Sequence, residues 1–137
     1  RTRSSWAAYT ETTSPLAVKR VAVRFINRVV IPATRFEFTD WFASGPRLAD
    51  AIPTSMTAFS FRTTVQHDSG AQVTIMMATE APDTLGRLPV LLDIDAFRET
   101  SLPPQDGKLW TVLEELRDLK NLVFFHTVTE RTKELFR

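Results

Sequence analysis

The longest alternation of apolar and polar side chains runs from Ala17 to Ile31, in the stretch AVKRVAVRFINRVVI. Side chains of a strand alternate between its two faces, so Arg20, Arg24 and Arg28 share one face. The other face is apolar except for Asn27 and consists of Val21, Val23, Phe25, Val29 and Ile31. The pattern predicts a strand that stops at the proline that follows, because proline cannot donate to a strand ladder.

Two further alternating runs are joined by the turn sequence HDSG. The first run covers Met56 to Gln66, and the return run carries Val73, Ile75 and Met77 on one face. Alternation on both sides of a short turn predicts a long antiparallel hairpin. The inward face of the first run is made of Phe59, Phe61, Thr63 and Val65.

A fourth run, Val90 to Phe97, predicts another strand. Its inward residues are Leu92 and Ile94, and its outward residues are Asp93 and Asp95.

The period changes from two to the helical value after the break SLPPQDG. Apolar residues then recur at helical spacing from Lys108, which predicts an amphipathic helix of at least three turns. We expect Leu109, Leu113 and Leu116 to be buried against the sheet. The expected sheet partners are Val21, Val23, Phe25, Phe59, Phe61 and Ile75.

Shorter signals predict two more helices. Thr39 is a candidate N-cap for a short helix that ends at Gly45-Pro46. Thr127 and Glu130 form a capping-box pattern that predicts a last short helix. The whole pattern predicts an α+β fold, with an antiparallel sheet of about four strands and one face covered by a long C-terminal helix. We expect residues 1–16 to be a lead-in segment and residues 17–137 to be a single domain.

Composition narrows the class of protein. A chain of 137 residues with 43% hydrophobic residues can bury the core of one globular domain. The formal net charge of +1 gives no global reason to expect polyanion binding. No cysteine is present, which excludes disulfides, cysteine-ligated metals and thiol nucleophiles within the chain. No apolar run reaches the length of a membrane span, so we expect a cytoplasmic protein without a membrane partner.

The arginine row and the two aspartates are the main candidate site. If their strands are neighbours, Arg20, Arg24 or Arg28 can pair with Asp93 or Asp95 across the ladder. Arginine suits such a role because its planar fork binds a carboxylate through two hydrogen bonds. A phosphate or RNA surface is the alternative, although this face lacks the neighbouring lysines and aromatics that such a surface uses.

Asp93 and Asp95 are also candidates for a metal-dependent, nuclease-like site. Two carboxylates on one face can hold Mg²⁺, but such a site usually needs a third acid. Glu80 and Glu99 are the nearest candidates in the sequence. The alternation alone does not bring them together.

The two histidines have ordinary structural explanations. His67 lies in the hairpin turn, and His126 lies near the end of the long helix, where a protonated imidazole would be favourable. A His126–Glu130 pair acting as a general base is the functional alternative. With four scattered glycines the chain has no glycine-rich phosphate loop.

Two other features lead to structural expectations. Asn27 interrupts an apolar face, and a buried amide needs a hydrogen-bond partner. We expect backbone partners for it, in the short helix or in the chain near Trp6. The aromatic cluster Phe36, Phe38, Trp41 and Phe42 is predicted to be core, with an interface patch as the alternative.

Three blocks of the sequence resemble a sporadically distributed, uncharacterised bacterial protein family. The matching residues are Arg20, Arg24 to Arg28 and Pro32; then Leu92 to Asp95; then Lys120, Asn121, Phe124, Val128 and Thr129. The resemblance implies the C-terminal half of a longer protein whose N-terminal half is absent here. It implies no catalytic activity.

From these observations we expect a non-enzymatic binding or scaffold domain that acts through protein contacts. The partner would be another protein, the missing N-terminal half, or a second copy of the chain. No cofactor and no nucleic acid are expected. The first alternative is a small-ligand pocket between the sheet and the long helix, and the second is the nuclease-like enzyme. The candidate binding residues are Arg20, Arg24, Arg28, Asp93, Asp95 and His126.

Overall fold

The structure is a computed structural model that describes residues 1–137. It contains four helices and six strands. The helices are α1 (Thr2–Thr13), α2 (Phe38–Trp41), α3 (Lys108–Thr127) and α4 (Glu130–Glu134). The strands are β1 (Val18–Ile31), β2 (Phe36–Glu37), β3 (Ser55–Met56), β4 (Ser60–Gln66), β5 (Gln72–Thr79) and β6 (Leu88–Leu102).

The main sheet has four antiparallel strands in the order β1-β6-β5-β4. Helix α3 packs on β1 and β6, so it covers one face of the sheet. The α+β fold expected from the sequence is therefore confirmed. The strand order leaves β1 and β4 as the two edges, with β6 and β5 in the middle.

The core lies between α3 and the covered face of the sheet. Leu109 and Leu116 are buried there, and Leu113 is partly buried against the same cluster. Phe25, one of the expected sheet partners, is not buried, because its side chain is 53% exposed. Phe25 lies on an edge strand, where no neighbouring strand covers its outer side.

The lead-in segment contains a helix that the sequence pattern did not predict. Helix α1 has no buried residue, so it lacks the apolar stripe by which helices are recognised. Trp6 is its anchor, since the indole Nε1–H donates to the carbonyl oxygen of Pro104 at 2.9 Å. The threonine hydroxyls of its last turns donate to backbone carbonyls three or four residues earlier.

Two strand boundaries differ from the prediction. The run Met56 to Gln66 is divided into β3, which pairs with β2, and β4, which belongs to the main sheet. Strand β6 extends beyond the predicted Phe97 to Leu102. It continues because its polar C-terminal part still pairs with the start of β1, where Val18 lies opposite Leu102.

Both predicted caps are wrong by a few residues. Thr39 lies inside α2, which ends at Trp41 well before Gly45. Thr127 is the last residue of α3, and the true N-cap of α4 is Thr129, whose Oγ1 accepts from the Thr132 backbone N–H at 3.4 Å. Helix α3 runs on to Thr127 before the extended Val128 bridges to Phe42.

No helix of this fold combines the length and apolar character needed to cross a lipid bilayer.

Candidate functional site

The arginine row lies on the sheet face opposite α3, next to the two aspartates. Arg24 lies across the ladder from Asp95 but bonds to Asp93. Its Nε donates to Asp93 Oδ1 at 2.9 Å, and its Nη2 donates to Asp93 Oδ2 at 2.5 Å. This is the two-pronged arrangement that the arginine fork favours.

The other two arginines also have acidic partners. Arg20 Nη2 donates to Asp95 Oδ2 at 2.6 Å, and the Arg20 guanidinium stacks on the Phe97 ring. Arg28 Nε donates to Glu80 Oε2 at 2.6 Å. The expected Arg–Asp pairing is therefore confirmed for Arg20 and Arg24. Arg28 takes a partner from the end of the hairpin instead.

Burial is unequal within the central pair. The Asp93 side chain is 8% exposed, whereas the Arg24 side chain is 57% exposed. Arg24 therefore covers the carboxylate and turns the rest of its guanidinium to solvent. The hydrogen bond to Asp93, and then the negative charge of Asp93, raise the pKa of Arg24 above its ordinary value. The ion pair therefore places a positive charge directly over the buried carboxylate.

A shallow depression of about 170 Å³ lies beside this pair. It is lined by Arg24, Arg62, Thr74, Met76, Asp93 and Asp95. Asp95 Oδ1 is buried there without a hydrogen-bond partner.

The structure does not bring together the metal ligands that a nuclease-like site would need. No three His, Asp or Glu side chains of the chain lie close enough together to hold a metal ion. Asp93, Asp95 and Glu80 are each bonded to an arginine. These ion pairs connect β1 to β6 and to the end of β5.

His126 is not brought to this face. It is exposed in the last turn of α3, on the helix that covers the opposite side of the sheet. No hydrogen bond joins it to Glu130, whose carboxylate accepts from Lys133 Nζ at 2.5 Å. That hydrogen bond lowers the pKa of Glu130 below its ordinary value. A general-base pair is therefore absent from the geometry.

The aromatic cluster and Asn27 take structural roles. Phe36, Phe38, Trp41 and Phe42 are all buried, as expected for core residues. Asn27 Nδ2 donates to the carbonyl oxygen of Leu92 at 3.4 Å. The expected backbone partner is thus present, but it belongs to β6 rather than to the short helix or the chain near Trp6.

The exposed middle of β1 was not predicted from the sequence. Phe25 and Ile26 point to opposite faces of the strand, and their exposed fractions are 53% and 58%. A signal was available, because Ile26 is a large apolar residue within the charged row between Arg24 and Arg28. A strand that is exposed on both faces at one point is typical of a free edge.

Comparisons with protein-family models, with curated proteins and with solved structures find no match to this chain. The family resemblance of the three sequence blocks therefore stays a prediction that rests on those residues alone.

Proposed function

We propose that this chain is a non-enzymatic protein-binding domain that pairs an extended segment of a partner protein with the free edge of β1. Addition of a strand to a sheet edge is a recurrent mode of peptide recognition. Backbone hydrogen bonds supply much of the affinity in that mode, and side chains at alternate positions supply the specificity.

One observation carries the proposal. Phe25 and Ile26 are adjacent, lie on opposite faces of an edge strand, and are both more than half exposed. A strand laid beside them would cover both side chains at once and would satisfy the outer backbone groups of β1. Large exposed apolar side chains next to an open edge are otherwise a liability for aggregation.

Charge complementarity favours an acidic partner. Strand β1 carries Lys19, Arg20, Arg24 and Arg28 and contains no Asp or Glu. Each arginine uses only part of its five donors on its internal partner, so donors remain for a second carboxylate. The segment that fits best is extended and alternates acidic with apolar residues.

A second copy of the chain fits this edge less well. Antiparallel pairing of two β1 strands would bring two arginine rows together, and like charges across a ladder are destabilising. The other edge, β4, is a weaker candidate as well. It is only seven residues long and is mostly polar.

A peptide that alternates Glu with Val tests the proposal. Fluorescence anisotropy should show binding to the intact chain that weakens as salt is added, because the exposed charges become screened. A peptide with Lys in place of Glu should bind far more weakly. Two further Glu peptides carry N-methyl groups at alternate residues, one at the odd positions and one at the even positions. Only one of the two should lose binding, because methylation removes the backbone donors on one edge of the peptide.

A matched pair of variants locates the binding edge. Ile26→Ser should weaken binding by about tenfold, since it removes an apolar contact made only in the complex. Val65→Ser on the exposed edge strand β4 should leave the affinity unchanged. Equal binding of the Glu and Lys peptides, or an effect of Val65→Ser in place of Ile26→Ser, would contradict pairing at β1.

A further inference from the structure

Lys120 has an unusual environment for a lysine. It is only 9% exposed, on the α3 face that packs against the sheet. Val112, Leu116 and Lys120 are spaced four residues apart, so the apolar stripe of α3 continues into a charged side chain. No hydrogen-bond acceptor and no carboxylate of the chain contacts its ammonium, which still reaches the surface. Lysines with so little exposure are usually paired.

Within the chain, the ammonium contacts an aromatic ring. Lys120 Nζ lies 4.2 Å from the centroid of the Phe25 ring. A cation in this position is attracted by the negative face of the ring. The contact leaves the hydrogen-bonding capacity of the ammonium unused.

The ammonium lies at a cavity between β1, β6 and α3. The cavity has a volume of about 210 Å³, and Phe25, Phe124 and Phe125 line it together with Ile94. An engineered apolar cavity of about 150 Å³ is enough to admit benzene. A single small ring or a short aliphatic chain therefore fits this space.

The polar groups of the cavity are all able to donate. Asn27 uses its amide on the Leu92 carbonyl through one long hydrogen bond, and the amide of Asn121 has no partner within the chain. No Asp or Glu lines the cavity. The cation and the two amides could bind a group with a single negative charge, and the aromatic side chains could contact an apolar group attached to it.

We propose that this cavity binds a small organic carboxylate, with the carboxylate on Lys120 and the apolar body between the phenylalanine rings. The carboxylate would supply the acceptor that the ammonium lacks. A charge-assisted hydrogen bond of this kind is stronger than one between neutral groups. Ligand binding there requires no strand to be added to β1.

Titration of the intact chain with benzoate tests the site. Amide signals of Lys120, Asn121 and Phe25 should shift in proton–nitrogen NMR spectra, and the melting temperature should rise with benzoate concentration. Benzyl alcohol and benzylamine have the same ring without the negative charge. Both should bind at least about tenfold more weakly, since they lose the charge-assisted bond.

Two lysine variants provide the matched comparison. Lys120→Met keeps the length of the apolar stem, removes the charge, and should abolish the preference for benzoate over benzyl alcohol. Lys133 also lies near a ring of this region, 5.8 Å from the Phe125 centroid, but is bonded to Glu130. Lys133→Met should therefore retain that preference.

A competition experiment decides whether the natural carboxylate is a side chain of a partner protein or a free organic acid. A peptide with Glu positioned on the Phe25 side of β1 should compete with benzoate if a partner side chain is the natural ligand. No competition, with benzoate bound, assigns the cavity to a free acid. Absence of benzoate binding would overturn the proposal whether or not the peptide binds to β1, and so would equal binding of benzoate and benzyl alcohol. These comparisons within the unmodified chain keep the proposal testable even if Lys120→Met fails to fold.

Discussion

The Arg24–Asp93 and Arg28–Glu80 pairs both join an arginine of β1 to a carboxylate, but they differ in solvent exposure. Asp93 is buried under Arg24, whereas Glu80 is 37% exposed beside a half-exposed Arg28. A buried carboxylate that loses its partner is left without compensation for desolvation, whereas an exposed carboxylate is solvated by water. The two pairs should therefore differ in their contribution to stability.

Arg24→Ala should lower the free energy of unfolding clearly more than Arg28→Ala. The Arg28→Ala change should stay within about 1 kcal/mol, as is usual for exposed ion pairs. Urea denaturation of the two variants measures the difference. Adding Asp93→Asn to Arg24→Ala should recover part of the loss, because the stranded charge is removed. Equal losses in the two single variants would contradict the role assigned to Asp93.

Asp83 provides a pH-dependent prediction in the loop between β5 and β6. Its Oδ1 accepts from the backbone N–H groups of Leu85 and Arg87, both at 2.9 Å. The Arg87 backbone hydrogen bond is the largest cause that lowers the pKa of Asp83 below its ordinary value of 3.8. Its stabilising contribution is therefore complete above pH 3.8 and is lost as the pH falls through the lower folded-state value.

Replacement of Asp83 by Asn should flatten the pH dependence of stability in that acid range. Urea denaturation at a series of pH values, for the wild type and Asp83→Asn, checks the prediction. An unchanged slope below pH 3.8 would show that the carboxylate does not carry this dependence.

The ion pairs were predictable from the sequence where the alternation of side chains along the strands was enough to place both partners on one face. Arg20, Arg24, Asp93 and Asp95 share a face because of a period of two, and neighbouring strands then bring them together. Glu80 lies beyond the end of β5, so its position depends on how the loop to β6 is built.

At the scale of elements, helix α3 packs most of its apolar side chains into or against the core. Leu116 is fully buried, Leu113 is partly buried, and Leu122 on the outer side of the helix is 55% exposed. Leu116→Ala should cost about 2–5 kcal/mol, the usual range for a buried leucine. Urea denaturation should give a smaller loss for Leu113→Ala and almost none for Leu122→Ala. A loss for Leu122→Ala as large as that for Leu116→Ala would contradict this packing.

Helix α1 should behave differently from the rest of the fold. It buries no residue, and an isolated helix of this length is only marginally stable in water. Trp6→Ala should therefore release α1 while the sheet and α3 remain folded. Hydrogen exchange should show faster exchange confined to the first helix. Loss of protection in β5 and β6 as well would show that α1 is part of the main cooperative unit.

Elements with a strong period were predictable, and elements defined by contacts were not. The alternation of β1, β5 and β6 and the apolar stripe of α3 follow from the residues themselves. Helix α1 has no such stripe. The Thr129 cap depends on where α3 stops, which is set by the contact of Val128 with Phe42 rather than by the capping-box pattern.

At the scale of the whole molecule, two properties follow from the order of the strands. Placing β1 at the edge exposes the segment Arg24 to Arg28 on both faces, although its alternation resembles that of a half-buried strand. The same placement opens the cavity at Lys120, because Phe25 has no strand on its outer side. Strand order is a long-range property, so the local pattern did not determine either feature. The one local sign of the exposed segment was Ile26 within the charged row.

Backbone hydrogen exchange of β1, with and without the alternating Glu–Val peptide, tests the central claim most directly. Strand addition at this edge should slow exchange at alternate amides between Arg24 and Arg28, because only every second N–H points outward. Amides of β4 should be unaffected. Unchanged exchange in β1 at saturating peptide, or protection that appears in β4 instead, would contradict the assignment of β1 as the binding edge.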